Sequence, residues 1–192
     1  GFAGDQWNAP VIVQYDVIGK HVTVSGRSYV GGLYGRGVGG NLRVTGNEKG
    51  RSKITGRDTG STNSVGDSFV GGITGRIRMS SGTMTNANID STDISASGRY
   101  VGGITGYSDR SLTNSTVKNV EIDGKSRAYT VGGIAGAISG SYSTSSVTVG
   151  GDGATDKVTI KNTRSGNKTG TGGICGGPCI VSSSVVNNVD IN

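Results

Sequence analysis

The chain has 192 residues, of which 32% are hydrophobic, 5% aromatic and 37 are Gly, and it carries a formal net charge of +6. So lean a composition excludes one round core and leaves a thin core fed by small side chains, one layer per repeat. The longest apolar runs are a few residues, which excludes a membrane-spanning helix, and nothing at the start resembles a signal peptide.

Residues 1–19 hold the only Trp, Trp7, one of two prolines, Pro10, and the densest apolar content of the chain in Val11, Ile12, Val13, Val17 and Ile18. A non-repeating apolar segment ahead of the first repeat reads as an N-terminal cap over a solenoid end, or as an arm that packs on another subunit. The chain opens on Gly1, Phe2 and Ala3 without Met, which points to a processed or excised segment, with secretion as one route. Val22, Thr23, Val24 and Ser25 then alternate apolar and polar and end on Gly26, the pattern of a short strand and a turn. The same pattern returns at 91–94, 119–124, 157–160 and 188–191. Low hydrophobicity with many Gly and Ser is also the composition of disorder, but a disordered linker has no reason to keep such alternation.

At 30–35 the chain reads Val-Gly-Gly-Leu-Tyr-Gly, and versions of this motif return at 70–75, 101–106, 131–136 and 171–176, so the spacings are 40, 31, 30 and 40 residues. That is a unit of about 30 residues with about ten inserted in two copies, the mark of a stacked repeat. Strict alternation cannot place both Val101 and Ile104 inside, because three steps along a strand reverse its face. The paired glycines must bend the chain. Gly31 and Gly32, Gly71 and Gly72, Gly102 and Gly103, Gly132 and Gly133, and Gly172 and Gly173 are therefore expected at the corners of successive coils.

Each unit can be written as three short strands, one carrying the Gly motif, one rich in Ser, Thr and Asn as at 112–116, and one carrying Val120 and Ile122. Stacked on their equivalents, these predict an all-β, right-handed parallel β-helix (β-solenoid) over 20–192, about 30 residues per coil in five to six coils, about 25–30 Å long. Loop insertions near 47–64 and 150–169, rich in Gly, Ser, Thr, Asp, Lys and Arg, leave one edge. A β-sandwich and a β-prism are the competing folds, while Gly and β-branched residues exclude a helical reading.

The core Gly32-Leu33-Tyr34-Gly35 and its counterpart Gly133-Ile134-Ala135-Gly136, followed by a Ser/Asn-rich stretch and a Val-x-Val/Ile-x-Gly strand, resembles the GLUG-motif repeats over most of 22–192. The resemblance implies a large bacterial surface or secreted protein, such as an adhesin or the noncatalytic part of an immunoglobulin-A peptidase. It implies no activity. In this chain the two insertions interrupt the unit, and Thr171 replaces the Val of the last copy.

Chemistry is sparse. Asp93, Glu121 and Asp190 share one outward repeat position, where a ladder of carboxylates could bind a cation or do acid and base work, but Thr23 and Thr159 fill that position in other copies. Outward acids are ordinarily solvated charge. The one histidine, His21, has no triad pattern around it, and the Gly motifs lack the Lys-Ser/Thr ending of a phosphate loop. Tyr29, Phe69 and Tyr100 directly precede the motif, and Tyr129 stands one place earlier, so an aromatic stripe is expected, either open to sugar rings or a partner, or packed against its neighbours. Thr74 and Thr105 share a position, as do Thr85 and Thr113, a row that would suit ice if Tyr34, Ala135 and Cys175 did not interrupt it.

Arg43, Lys49, Arg51, Lys53 and Arg57 form a basic loop that would attract an acidic polysaccharide or an anionic cell surface; no nucleic-acid motif accompanies it. Asn114 and Asn167 begin glycosylation acceptor patterns. Cys175 and Cys179 enclose Gly-Gly-Pro, a tight turn expected to close a small disulfide ring, with free thiols and a metal site as the competing readings. Asn192 follows a strand directly, leaving edges on which either a continuation of the protein or another subunit, head to tail, would stack. The expectation is therefore a noncatalytic extracellular or cell-surface structural or adhesive solenoid without cofactor, self-associating through its ends, with a glycan or cell-surface ligand as further partner and no nucleic acid. The competing reading is a carbohydrate-binding or polysaccharide-cleaving β-helix.

Overall fold

The computed structural model describes residues 3–5, 17–36, 42–47, 50–56, 68–78, 82–126, 128–164 and 170–192. Among them there is no helix, and the strands assemble into four sheets in which each paired strand runs parallel to its partner. Parallel pairing at one repeat's distance, throughout, is consistent with a β-helix or solenoid.

The paths are set by residue chemistry. Sheet I runs through Val17–Lys20 and Thr23–Gly26, Leu42–Thr45 and Ser52–Gly56, Asn88–Ala96, Thr116–Gly124, Thr148–Gly150 and Val158–Asn162, and Val185–Asn187 and Val189–Ile191. Its long strands bend in the middle, where Ser91 and Asn119 take left-handed backbones with φ of 47° and 50°. That bend lets Val117 and Val120, three apart, both point inward. Sheet II follows with Tyr29–Gly31, Phe69–Gly71, Tyr100–Gly102, Thr130–Gly132 and Gly170–Gly172. After the Gly corner comes sheet III, of Ala3–Asp5, Tyr34–Arg36, Thr74–Ile77, Thr105–Ser108 and Ala135–Ile138, and then the short sheet IV, of Met84–Thr85, Leu112–Thr113, Ser143–Ser145 and Ile180–Ser182.

The unit thus has four sheet segments rather than three strands. The stretch at 112–116 divides at Asn114, left-handed with φ of 49°, into the end of a sheet IV strand and the start of a sheet I strand. The core is a set of columns running from repeat to repeat. Val30, Val70, Val101 and Val131 form one, Leu33, Ile73, Ile104 and Ile134 a second, and Ile54, Ile94, Ile122 and Ile160 a third, all buried. Val101 and Ile104 are both 0% exposed, one on each side of the corner.

Glycine is required at that corner by space. A Cβ on Gly31 would stand 2.1 Å from the Tyr34 carbonyl oxygen, and one on Gly103 would stand 2.0 Å from the Gly133 carbonyl oxygen of the next repeat. Through the same corner, amides of one repeat bond carbonyls of the next, as in Gly72 to Gly103 at 2.9 Å and Ile134 to Ile174 at 2.8 Å.

The described part of the first 19 residues is woven into the sheets: Ala3 pairs with Tyr34 and Val17 with Leu42. Both described strands therefore add to the edges of sheets III and I. Trp7, Pro10 and residues 11–13 lie outside the described residues. The insertions also divide. In the first long repeat sheet I is interrupted between Thr45 and Ser52, at the bend position, with 48–49 and 57–67 outside the described residues. The segment 150–169 contains the in-register strand Val158–Asn162, so only 151–157 form a loop at that bend, while 165–169, including the Asn167 acceptor, lie outside the described residues.

Gly103→Ala should lower the unfolding free energy by about 3 kcal/mol, because no flexible atom can yield to the new methyl. Gly140→Ala, where a Cβ meets nothing within 4 Å, should be neutral or slightly stabilising in the same urea titration.

Candidate binding face

Sheets II and III meet at the corner and carry one continuous outer face. Tyr29, Phe69 and Tyr100 are in register on adjacent strands, so their rings fall one strand apart and stack, with centroids 5.3 and 5.4 Å apart and planes 11° and 5° from parallel. Sheet III places Arg36, Arg76 and Tyr107 in one column beside them. The Arg36 guanidinium lies 4.4 Å from the Tyr29 centroid and donates to the Tyr29 hydroxyl at 2.9 Å. Arg76 lies 5.1 Å from Phe69 and 5.2 Å from Tyr107, and Tyr107 meets Phe69 edge-on at 5.7 Å. Phe69 is left only 3% exposed. The stripe is therefore an interleaved stack of rings and guanidiniums, in which Phe69 and Arg36 are buried while Tyr29, Tyr100, Arg76 and Tyr107 keep partial exposure.

Tyr129 stands apart, since Thr130 takes the register position of Tyr100. Its ring is instead held between Arg99 at 5.8 Å and Arg164 at 3.5 Å. The arginines that complete this face were not singled out in the sequence. The signal was present, because Arg36 and Arg76 fall six residues after Val30 and Val70, but six residues that cross a corner cannot be assigned a face from alternation.

Burial opposes the charge on Arg76, but the hydrogen bond and attraction from Asp109 outweigh it and raise its pKa, so the cation is kept. Two guanidinium nitrogens reach one Asp109 oxygen, at 2.8 and 3.2 Å. The outward acids of sheet I do share a column, in which Thr23, Lys53, Asp93, Glu121, Thr159 and Asp190 succeed one another. Each acid is matched by a cation: Arg51 with Asp93 at 2.6 Å, Lys161 with Glu121 at 2.7 Å and Lys157 with Asp190 at 2.5 Å. Such a ladder ties strands together.

Of the basic loop, Lys49 and Arg57 lie outside the described residues, Lys53 is exposed in that column, and Arg43 lines a 290 Å³ depression with Asp90 and Lys118. Arg51 is a staple. Besides Asp93 it donates to the Asn119 side-chain oxygen at 2.7 Å and to the Thr92 and Asn119 carbonyls at 3.0 and 2.8 Å, fixing the bends of two repeats. Thr74 and Thr105 do pair, but both are buried and donate to the backbone at Arg76 and Tyr107, so no flat threonine row is presented there. Cys175 and Cys179 are joined in a disulfide with Cα atoms 6.4 Å apart. Cys175 occupies the sheet III register opposite Ala135, so the bridge closes the turn between that position and the sheet IV strand Ile180–Ser182. Among the described residues no three His, Cys, Asp or Glu gather as a metal site.

The chain matches no protein-family model, and neither a curated protein nor a solved structure is significantly similar to it.

Phe69→Ala should cost about 3 kcal/mol in urea unfolding, as it empties the centre of the stack, whereas Tyr129→Ala should cost under about 1.5 kcal/mol. A second expectation concerns alkali. Burial raises the Tyr34 hydroxyl above its ordinary 10.0, and the hydrogen bond and charge of Glu121 raise Lys161 above 10.5, so both hold protons more tightly when folded. Their contribution is complete below about pH 10 and is lost as pH rises beyond it. Urea midpoints at about pH 9 and pH 11 should show this fall, and Tyr34→Phe should make it shallower.

Proposed function

We propose that the chain is a noncatalytic, extracellular structural or adhesive β-solenoid of five to six coils of about 30 residues, of the GLUG-repeat kind, able to join other solenoids end to end. The observation that carries this reading is the stack itself, whose core columns run from repeat to repeat and finish in a layer with apolar side chains exposed, Val181 at 44%, Val186 at 47% and Ile191 at 49%. Such a core is extended by adding another layer, whether from this chain or from a neighbour. The disulfide fits an oxidising, extracellular compartment.

The alternative, a carbohydrate-binding or polysaccharide-cleaving domain, draws support from the tyrosine and arginine face. Its cleaving version must use Asp93 and Glu121, each already paired with a cation.

Sedimentation velocity and electron microscopy over a concentration series should show end-to-end oligomers that Val186→Asp abolishes without changing the urea midpoint. Wild-type monomers at every concentration would defeat the end-to-end version. Release of reducing ends from a polysaccharide panel, lost in Asp93→Asn with Glu121→Gln, would overturn the noncatalytic reading.

A further inference from the structure

The last repeat departs from the others at one place in its path. Sheet III has a strand in the layers before it, but here the sheet is reduced to a single bridging pair, Ala135 with Cys175. From that position to the equivalent residue of sheet IV the chain takes ten residues between Thr74 and Met84, seven between Thr105 and Leu112, nine between Ala135 and Thr144, and six between Cys175 and Val181. The shortest of these paths is the one that the Cys175–Cys179 disulfide spans. Where the preceding repeat continues its strand to Ile138, this one has Gly176, Gly177 and Pro178 inside a covalent ring. Adjacent glycines lose more freedom on ordering than any other pair, and the ring removes part of that freedom beforehand.

The layer that holds this ring has little else to fix it. None of residues 170–192 is buried, whereas the layer beneath contributes Val131, Ile134, Val147, Val149 and Ile160 to the core. Four apolar side chains of the last layer, Ile174, Cys175, Cys179 and Val189, pack against that core, and two of the four are the disulfide. Backbone bonds tie the layer down, from the Gly177 amide to the Gly136 carbonyl at 2.8 Å, from the Ile134 amide to the Ile174 carbonyl at 2.8 Å and from the Val185 amide to the Val147 carbonyl at 2.9 Å. A region with few buried contacts opens at a free energy far below that of the whole fold, so a short ring that adds little to global stability weighs heavily there.

We infer that the Cys175–Cys179 bond is a redox lock on the last layer. Joined, it holds 170–192 in register with the layer beneath; as two thiols, the layer frays and ceases to be a surface on which another solenoid can stack. Closing the lock transfers two electrons and two protons from the thiols to a disulfide donor such as oxidised glutathione, which leaves as two thiols, and a dithiol reductant reverses it by attack of its thiolate on a cysteine Sγ. Both cysteines are only partly buried and Pro178 between them is exposed, so small reagents reach the bond. A chain kept reduced until it meets an oxidising compartment is thereby kept from joining others before then. The effect on joining rests on the end-to-end reading above; the lock itself does not.

Hydrogen exchange of the full chain, with and without dithiothreitol, tests the lock. Reduction should speed exchange about ten-fold or more at the Gly177 and Val185 amides, and at Ile134 and Ser146, whose amides bond to the last layer, while the Gly72 and Thr74 amides, deeper in the stack, keep their rates. Oxidised glutathione should restore slow exchange. The double variant Cys175→Ser with Cys179→Ser, which removes the chain's only cysteines, should exchange like the reduced protein in either reagent. Unchanged exchange at Gly177 and Val185 on reduction overturns the proposal, and so does equal acceleration at Gly72, since the bond would then hold the whole fold instead of one layer. Should the double variant fail to fold, reduction of the wild type decides alone. Sedimentation of the same samples keeps the two readings apart. Oligomers of the oxidised chain that disperse on reduction support the effect on joining, and oligomers that persist while exchange accelerates remove it. A chain that is monomeric in both states defeats the end-to-end reading and leaves the lock to be judged by the exchange rates.

Discussion

The contact on which the structure depends is backbone against backbone at the glycine corner. At Gly103 a side chain is excluded because the carbonyl of Gly133 occupies its place, and Gly75, Gly106, Gly136 and Gly176, the third glycines of the later motifs, are under the same constraint from sheet II, with a Cβ on Gly106 standing 2.5 Å from the Val70 amide. Sheets II and III can therefore lie close together while hydrogen bonds pass uninterrupted from repeat to repeat. With the corner set, Val101 and Ile104 converge on one interior and the aliphatic columns follow.

A stack of this kind turns sequence position into surface columns. Residues that share a repeat position meet at one strand spacing, whatever their separation along the chain, so charges and rings are read as ladders. On sheet I this yields alternating ion pairs, and beside the corner it yields rings sandwiched by guanidiniums. Exposed pairs of the first kind contribute little each, and the buried stack of the second kind contributes more.

The repeat register was legible in the sequence, since Tyr29, Phe69 and Tyr100 pair as their shared position requires, and so do Asp93 and Glu121. The four-sheet path was not. Asn114, Asn119 and Ser91 each bend the chain locally by adopting positive φ, and alternation alone does not tell such a residue from one in a straight strand's outward position. The length of each insertion could be counted, but its place could not, because a difference of ten residues does not say where within a repeat it falls.

By itself, the sequence determined the all-β class, the period and the glycine corner, because any side chain at those glycines would stand where a backbone must pass. Tertiary structure alone decided which outward side chains met across the turns. Arg51 reaches Asn119 over 68 residues, Arg76 reaches Asp109 over 33, and Arg110 reaches Tyr142 over 32. The reach and direction of a long side chain are set by the bend of the strand beneath it and by the neighbours one layer away, and neither is written in the alternation of a single strand.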